Sequence, residues 1–371
     1  MTSRSTTVLV ALATALLSGS ALAQTPQQNN AQPTVMDRVV GTVQSLTGSP
    51  MATLDTDMRH VIDALNDLGP KDVSKLSAAE ARQQPGAADA AKQVLRGQGK
   101  STLPDPAVTM KNVLVDGAKG KIVATTFTPA AASGPLPVIV YYHGGGFVIA
   151  NNATYADSAA ILAKEVGAVV VAVEYSKAPE HKFPASHDDA IAAYKWIAQN
   201  AGSLGGDPAK IAIAGESAGG NLTVNVAIAA RDQNLPKPAH LLIVYPMAGA
   251  DLETESYKEN TGSKPLNKPM MEWFYSNLTN SPADMQDPRI DIVGKANLGG
   301  LPPSTVITAQ IDPLRSEGQA LAAKLKGAGV NVDVQHYDGV THEFFSMGMV
   351  VADAKAAETV AVKNLKAALG K

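Results

Sequence analysis

Apolar residues along this chain follow two different periods. From about residue 34 to 105 they recur at helical spacing, as in Met58-Arg59-His60-Val61-Ile62-Asp63-Ala64-Leu65-Asn66-Asp67-Leu68, and Gly69-Pro70 stops that helix. The period then shortens. Val113-Leu114-Val115 and the segment 121–127 read as short strands set off by Gly117 and Gly120. Runs rich in Val, Ile and Tyr follow at 138–142, 168–173, 211–214, 241–245, 305–308 and 330–337, most of them separated by helical stretches. Such continuous apolar runs predict strands buried on both faces. The expected fold is α/β, with about eight strands in a mostly parallel sheet flanked by helices. No internal repeat is visible.

One interval departs from the alternation. More than 50 residues separate Pro246 from Pro302, where a single crossover of about 15 would suffice. The interval contains a predicted helix at 268–278, with Met270, Met271, Trp273, Phe274 and Leu278 apolar. An insertion after the C-terminal end of a strand lies on the side where open α/β sheets bind ligands. With the N-terminal helices it is expected to form a cap. The predicted layout is N-terminal cap helices at 51–105, a core at 106–247 and 300–371, and a cap insertion at 248–299.

Residues 1–23 carry Arg4, an apolar run from Val8 to Leu17 and the ending Ala21-Leu22-Ala23. This is the pattern of a secretory signal peptide, too short to span a bilayer comfortably. The polar stretch 24–50 reads as a flexible leader. The expectation is an exported protein, periplasmic or secreted, with no stable membrane insertion after cleavage; an uncleaved anchor is the rival.

Composition narrows the chemistry. The 371 residues include 31 Lys and Arg against 34 Asp and Glu, a balance that offers no field for nucleic acid. The chain has no cysteine, which removes thiol nucleophiles, disulfides and zinc–thiolate sites together. Reactive groups must therefore be built from oxygen and nitrogen.

Gly215-Glu216-Ser217-Ala218-Gly219 follows the predicted strand at 211–214 and opens a helix. Glycine-x-serine-x-glycine in this setting is a nucleophile elbow, which lifts the serine hydroxyl clear of the sheet. The motif alone is weak, and its placement between strand and helix gives it weight. A serine hydroxyl needs a base to take its proton. In the elbow fold the chain order is serine, acid, histidine, so of seven histidines only His240, His336 and His342 qualify. His240 starts a strand and His336 lies within the last one, whereas His342 follows that strand and is the predicted base. Asp312, after the strand at 305–308 and before Pro313, is the predicted acid; Asp251 is the weaker choice.

His143-Gly144-Gly145-Gly146 follows the strand ending at Tyr142. Such a glycine run brings bare backbone N–H groups to a developing oxyanion. The predicted donors are Gly145, Gly146 and Ala218. Gly144 contributes shape, and His143 braces the loop.

These motifs, with Gly215–Gly220, Asp312-Pro313-Leu314-Arg315, His342-Glu343-Phe344 and the segment 173–185, resemble the hormone-sensitive-lipase-like family of bacterial α/β-hydrolase esterases. The resemblance spans roughly residues 51–371. It implies a triad of Ser217, Asp312 and His342, an oxyanion loop at 144–146, a cap, and hydrolysis of small-molecule carboxylic esters of short to medium acyl chain. No metal and no cofactor are implied. Alternatives on the same triad are an amidase or a polyester or xenobiotic hydrolase; a catalytically silent binding protein is the alternative from another class. Glu216 before the serine, Ser176-Lys177 and Ser316 depart from the family's usual residues and bear on substrate preference.

Overall fold

The computed structural model describes residues 53–371; the predicted signal peptide and leader lie outside the described residues. Three helices come first: α1 (Thr56–Leu68), α2 (Ala78–Ala81) and α3 (Ala87–Gly97). Helix α1 buries Met58, Val61, Ile62 and Leu65, its predicted apolar face, and ends where Gly69 turns left-handed at φ 66°. Helix α2 starts with a reciprocal cap between Ser77 and Glu80.

Strands β1 (Val108–Gly117) and β2 (Gly120–Pro129) form an antiparallel hairpin. There follow β3 (Leu136–Tyr142), α4 (Ala156–Val166), β4 (Val169–Val173), α5 (Ala185–Asn200), β5 (Gly206–Glu216), α6 (Ala218–Asp232) and β6 (Leu241–Val244). Helices α7 (Glu255–Glu259), α8 (Lys268–Leu278) and α9 (Ile292–Lys295) occupy the insertion, before β7 (Ser304–Ile311), α10 (Arg315–Gly327), β8 (Val332–Thr341) and α11 (Ala352–Leu369).

The strand order is β1-β2-β4-β3-β5-β6-β7-β8 in one eight-stranded sheet. β1, β2 and β4 pair antiparallel. From β4 through β3 to β8 every pairing is parallel. β3 and β4 are buried at every residue, as the continuous apolar runs predict. Their side chains split by pleat. Val138, Val140 and Tyr142 join Leu222 and Ile197 of α6 and α5 on one face, while Ile139 and Tyr141 join Leu162 and Leu365 of α4 and α11 on the other.

Two expectations are extended. The hairpin strands are ten residues each rather than short runs, because Lys111, Asn112 and Lys121 sit at the solvated edge, where pairing needs no apolar side chain. β8 runs on past Tyr337 to Thr341, rejoining β7 beyond an irregularity at Ala309/Ile311. His342 therefore leaves directly from a strand end. Among the described residues no helix is long and apolar enough to cross a membrane.

Candidate active site

The C-terminal ends of β5, β7 and β8 converge on one point. β5 turns into α6 at Ser217, whose φ of 56° and ψ of −116° lie outside the ordinary regions for a residue with a side chain. Such a conformation costs on the order of 1–3 kcal/mol and survives only where the surroundings impose it. They do so here. Ser217 N–H donates to Val244 O at 2.9 Å, and Met247 N–H donates to Ser217 O at 3.1 Å. A Cβ on Gly219 would collide with Tyr142 O, so the turn closes only with glycine there.

Three side chains form a hydrogen-bonded line. Ser217 Oγ lies 3.0 Å from His342 Nε2. On the far side of the ring, Nδ1 lies 2.7 Å from Asp312 Oδ2. A carboxylate only accepts, so Nδ1 carries the proton and Nε2 is left to accept the serine hydroxyl. Asp312 Oδ1 meanwhile accepts Leu314 N–H at 2.8 Å, which fixes the carboxylate's rotation. Exposures of 4% for Ser217, 0% for Asp312 and 3% for His342 keep the line away from bulk water. Burial pulls the His342 pKa down, but the Asp312 charge and hydrogen bond, helped by Glu343 and Glu216, outweigh it and leave the imidazole above its ordinary value. Such an arrangement can draw a proton from Ser217 and hold it.

Gly145 and Gly146, at φ 96° and 58°, adopt the left-handed conformations the glycine run predicts. The N–H groups of Gly145, Gly146 and Ala218 donate no hydrogen bond among the described residues, so all three are available to an oxyanion. A side chain on Gly144 would strike the Tyr155 hydroxyl. His143 is fully buried; its Nδ1 lies 2.7 Å from Gly144 O, and Tyr175 OH donates to His143 O at 2.8 Å. Burial lowers the His143 pKa to about 4, so it stays neutral.

The rejected candidates lie elsewhere. His240 Nε2 meets Thr305 Oγ1 at 2.9 Å and His336 Nδ1 meets Thr308 Oγ1 at 2.9 Å, both along strands. Asp251 is exposed and caps its own turn by accepting Glu253 N–H.

Ser217, His342, Gly145 and Gly146 open onto a cavity of about 330 Å³. Met270, Met271 and Phe274 of α8 line it with Leu65, Ile149 and Leu266. Trp273 does not; its indole N–H instead donates to Leu76 O at 3.0 Å, tying the insertion to the N-terminal helices. Arg82 makes a second tie, donating to Val148 O at 2.8 Å, to Ala178 O at 2.8 Å and to the Glu180 carboxylate.

Sequence reasoning passed over a set of polar groups beside the histidine. Glu216 accepts hydrogen bonds from Tyr141 and Tyr245, and burial, partly offset by those bonds, raises its pKa to about 7. Glu343 accepts from Tyr155 and lines the cavity. Their positions next to Ser217 and His342 were the available signal; the tyrosines, far away in the chain, carried none.

A family model for the α/β-hydrolase fold matches residues 139–346. The chain is 37% identical to the carboxylesterase NlhH of Mycobacterium tuberculosis over 271 residues, covering 72% of this chain and 84% of that one. It is 33% identical to an ethyl acetate hydrolase of Pseudomonas putida over 239 residues, covering 64% and 74%. A solved thermostable esterase from Pseudomonas putida superposes with a TM-score of 0.77 at 32% identity, over 87% of this chain and 99% of that one. A family model matched over residues 139–346 and a relative 37% identical over 72% of the chain mean that the chain belongs to the hormone-sensitive-lipase-like family of α/β-hydrolase esterases.

Proposed function

We propose that this carboxylic ester hydrolase works through an acyl-enzyme on Ser217, with His342 as general base and Asp312 as the group that orients it. Ser217 Oγ forms a bond to the ester carbonyl carbon as its proton passes to His342 Nε2. The carbonyl oxygen becomes an oxyanion held by the N–H groups of Gly145, Gly146 and Ala218, each worth about 3–4 kcal/mol at the transition state. His342 then gives its proton to the departing alkoxide as the carbon–oxygen bond breaks. Water attacks the acyl-enzyme with His342 again taking a proton, and the carboxylic acid leaves. Asp312 holds the ring in the required tautomer and stabilises its cation.

The observation that carries this reading is the unbroken line from Ser217 Oγ through His342 to Asp312, opening on an apolar cavity. A volume of about 330 Å³ is at the small end for ligand sites, which favours short to medium acyl chains. The test is p-nitrophenol release from esters running from acetate to laurate. Turnover should peak at short chains and fall at least about 10⁴-fold in Ser217→Ala. A folded wild-type protein that cleaves none of them would sink the proposal.

We also propose that residues 1–23 direct export and are removed. Intact mass of the protein recovered outside the cytoplasm should begin at Gln24, and retention of the segment there would refute it.

A further inference from the structure

Glu343 is out of place on two counts. Its φ of 69° is a conformation that suits glycine, yet the chain holds a carboxylate side chain there. That side chain also lines a cavity that it shares with the apolar Met247, Met271, Phe274 and Ile149 and the polar Thr154, Tyr155 and Asn267. One carboxyl oxygen, Oε1, accepts the Tyr155 hydroxyl at 2.5 Å and lies 4.0 Å from His342 Nε2. The other, Oε2, has no hydrogen-bond partner among the described residues, although the side chain as a whole is only 26% exposed. The remaining charged groups on the cavity wall, Lys71, Asp72 and Lys264, belong to the cap segments rather than to the strand end that carries His342.

Position defines what Oε2 can meet. His342 Nε2 is the atom that, on the proposal above, hands its proton to the leaving alkoxide. The Glu343 carboxyl, whose Oε1 lies 4.0 Å from that nitrogen, therefore borders the space that receives the first atoms of the leaving alcohol. Resting on that reading of the reaction, we infer that Glu343 is a specificity-determining residue that selects esters whose leaving alcohol carries a hydroxyl on the carbon next to the ester-bearing carbon, such as diol or glycerol monoesters. A hydroxyl suits the site better than an ammonium would. Burial pushes the Glu343 carboxyl above the ordinary carboxylate range, with the charge of His342 and the Tyr155 bond acting against it, and a hydroxyl can donate to the ionised form or accept from the protonated one. An alkyl group in the same place strips water from Oε2 and returns nothing, the situation in which a polar site rejects an apolar analogue.

The experiment compares three butyrate esters: 2-hydroxyethyl, n-propyl as its near-isostere, and 2-methoxyethyl, which keeps the electron withdrawal and loses the donor. Wild-type kcat/KM should favour the hydroxyethyl ester over both others by about tenfold or more. Glu343→Met, which keeps length and removes both oxygens, should erase that preference, and Glu343→Gln, whose amide N–H can donate to either oxygen, should restore the preference over n-propyl but not over 2-methoxyethyl. Equal rates on the three esters in the wild type would overturn the inference while leaving the esterase reading intact. So would a preference that survives in Glu343→Met. A wild type that cleaves neither these nor p-nitrophenyl butyrate would bring down both. The wild-type ratio needs no variant, so a Met variant that fails to fold does not shelter the inference.

Discussion

The two walls of the cavity are held by different physics. On one side, Ser217, Asp312 and His342 leave the ends of three parallel strands of one sheet, β5, β7 and β8, and each is buried and pinned by backbone or side-chain hydrogen bonds. On the other, α8 meets the N-terminal segment through the Trp273 indole on Leu76, and Arg82 ties that segment to core loops at Val148, Ala178 and Glu180. The cavity surface there is largely methionine, phenylalanine and aliphatic side chains. Methionine is flexible and fills irregular space. On the proposed mechanism the first wall fixes where bonds break and the second what fits, so changes on the two should have separable consequences.

The largest effect should come from the first wall. Asp312→Asn keeps an oxygen for Leu314 N–H but can present an amide N–H to His342 Nδ1, which favours the tautomer that cannot accept from Ser217. A fall of about 10⁴ in kcat with little change in Tm is expected. A loss of under tenfold would mean that the ring keeps its orientation and tautomer without the Asp312 carboxylate.

The pH dependence comes next in size. On the proposed mechanism His342 must be neutral to take the serine proton, and against the lowering effect of burial the surrounding carboxyls raise its pKa above the usual histidine value of 6.5. Below that raised pKa, kcat/KM should therefore fall about tenfold per pH unit. The charges that raise this midpoint against burial, Asp312, Glu343 and Glu216, lie on the strand-end side. Variants of the cap should shift substrate preference with the midpoint unchanged. A midpoint below 6.5, or one that moves when α8 is altered, would break the division between the walls.

The same division governs what could be read from the sequence. The strand-end wall is written locally: a glycine run after β3, an elbow after β5, an acid after β7 and a histidine after β8, each next to the strand that positions it. Helix α8 was also legible, from its apolar spacing. Which of its residues face the cavity was not. Trp273 and Phe274 are adjacent and equally apolar, and only their packing sends one to Leu76 and the other to Gly146. The Tyr155–Glu343 pair, 188 residues apart, is likewise a product of the tertiary fold. The length of the β1–β2 hairpin was underestimated because an edge strand is held by backbone pairing, and its side chains need not be apolar.

The smallest effect, and the sharpest on the cap side, should follow Phe274→Ala. The ring lies so close over the oxyanion loop that a Cβ on Gly146 would overlap it, and it is 4% exposed. Removing it enlarges the cavity beside the reacting carbonyl. Acetate esters should then lose about three- to tenfold in kcat/KM while longer acyl chains gain relative to them, and the optimum should move to longer chains in the p-nitrophenyl series. Stability should fall by about 3–5 kcal/mol, as for other buried Phe→Ala changes, so the rates are best compared well below the lowered Tm. The diagnostic quantity is the ratio between chain lengths. If every ester slows by the same factor of about 10²–10³, the size expected for a lost oxyanion donor, then Phe274 acts by holding the Gly145–Gly146 backbone in place. The two walls would then be one mechanical unit, and the cap could not vary without touching the chemistry.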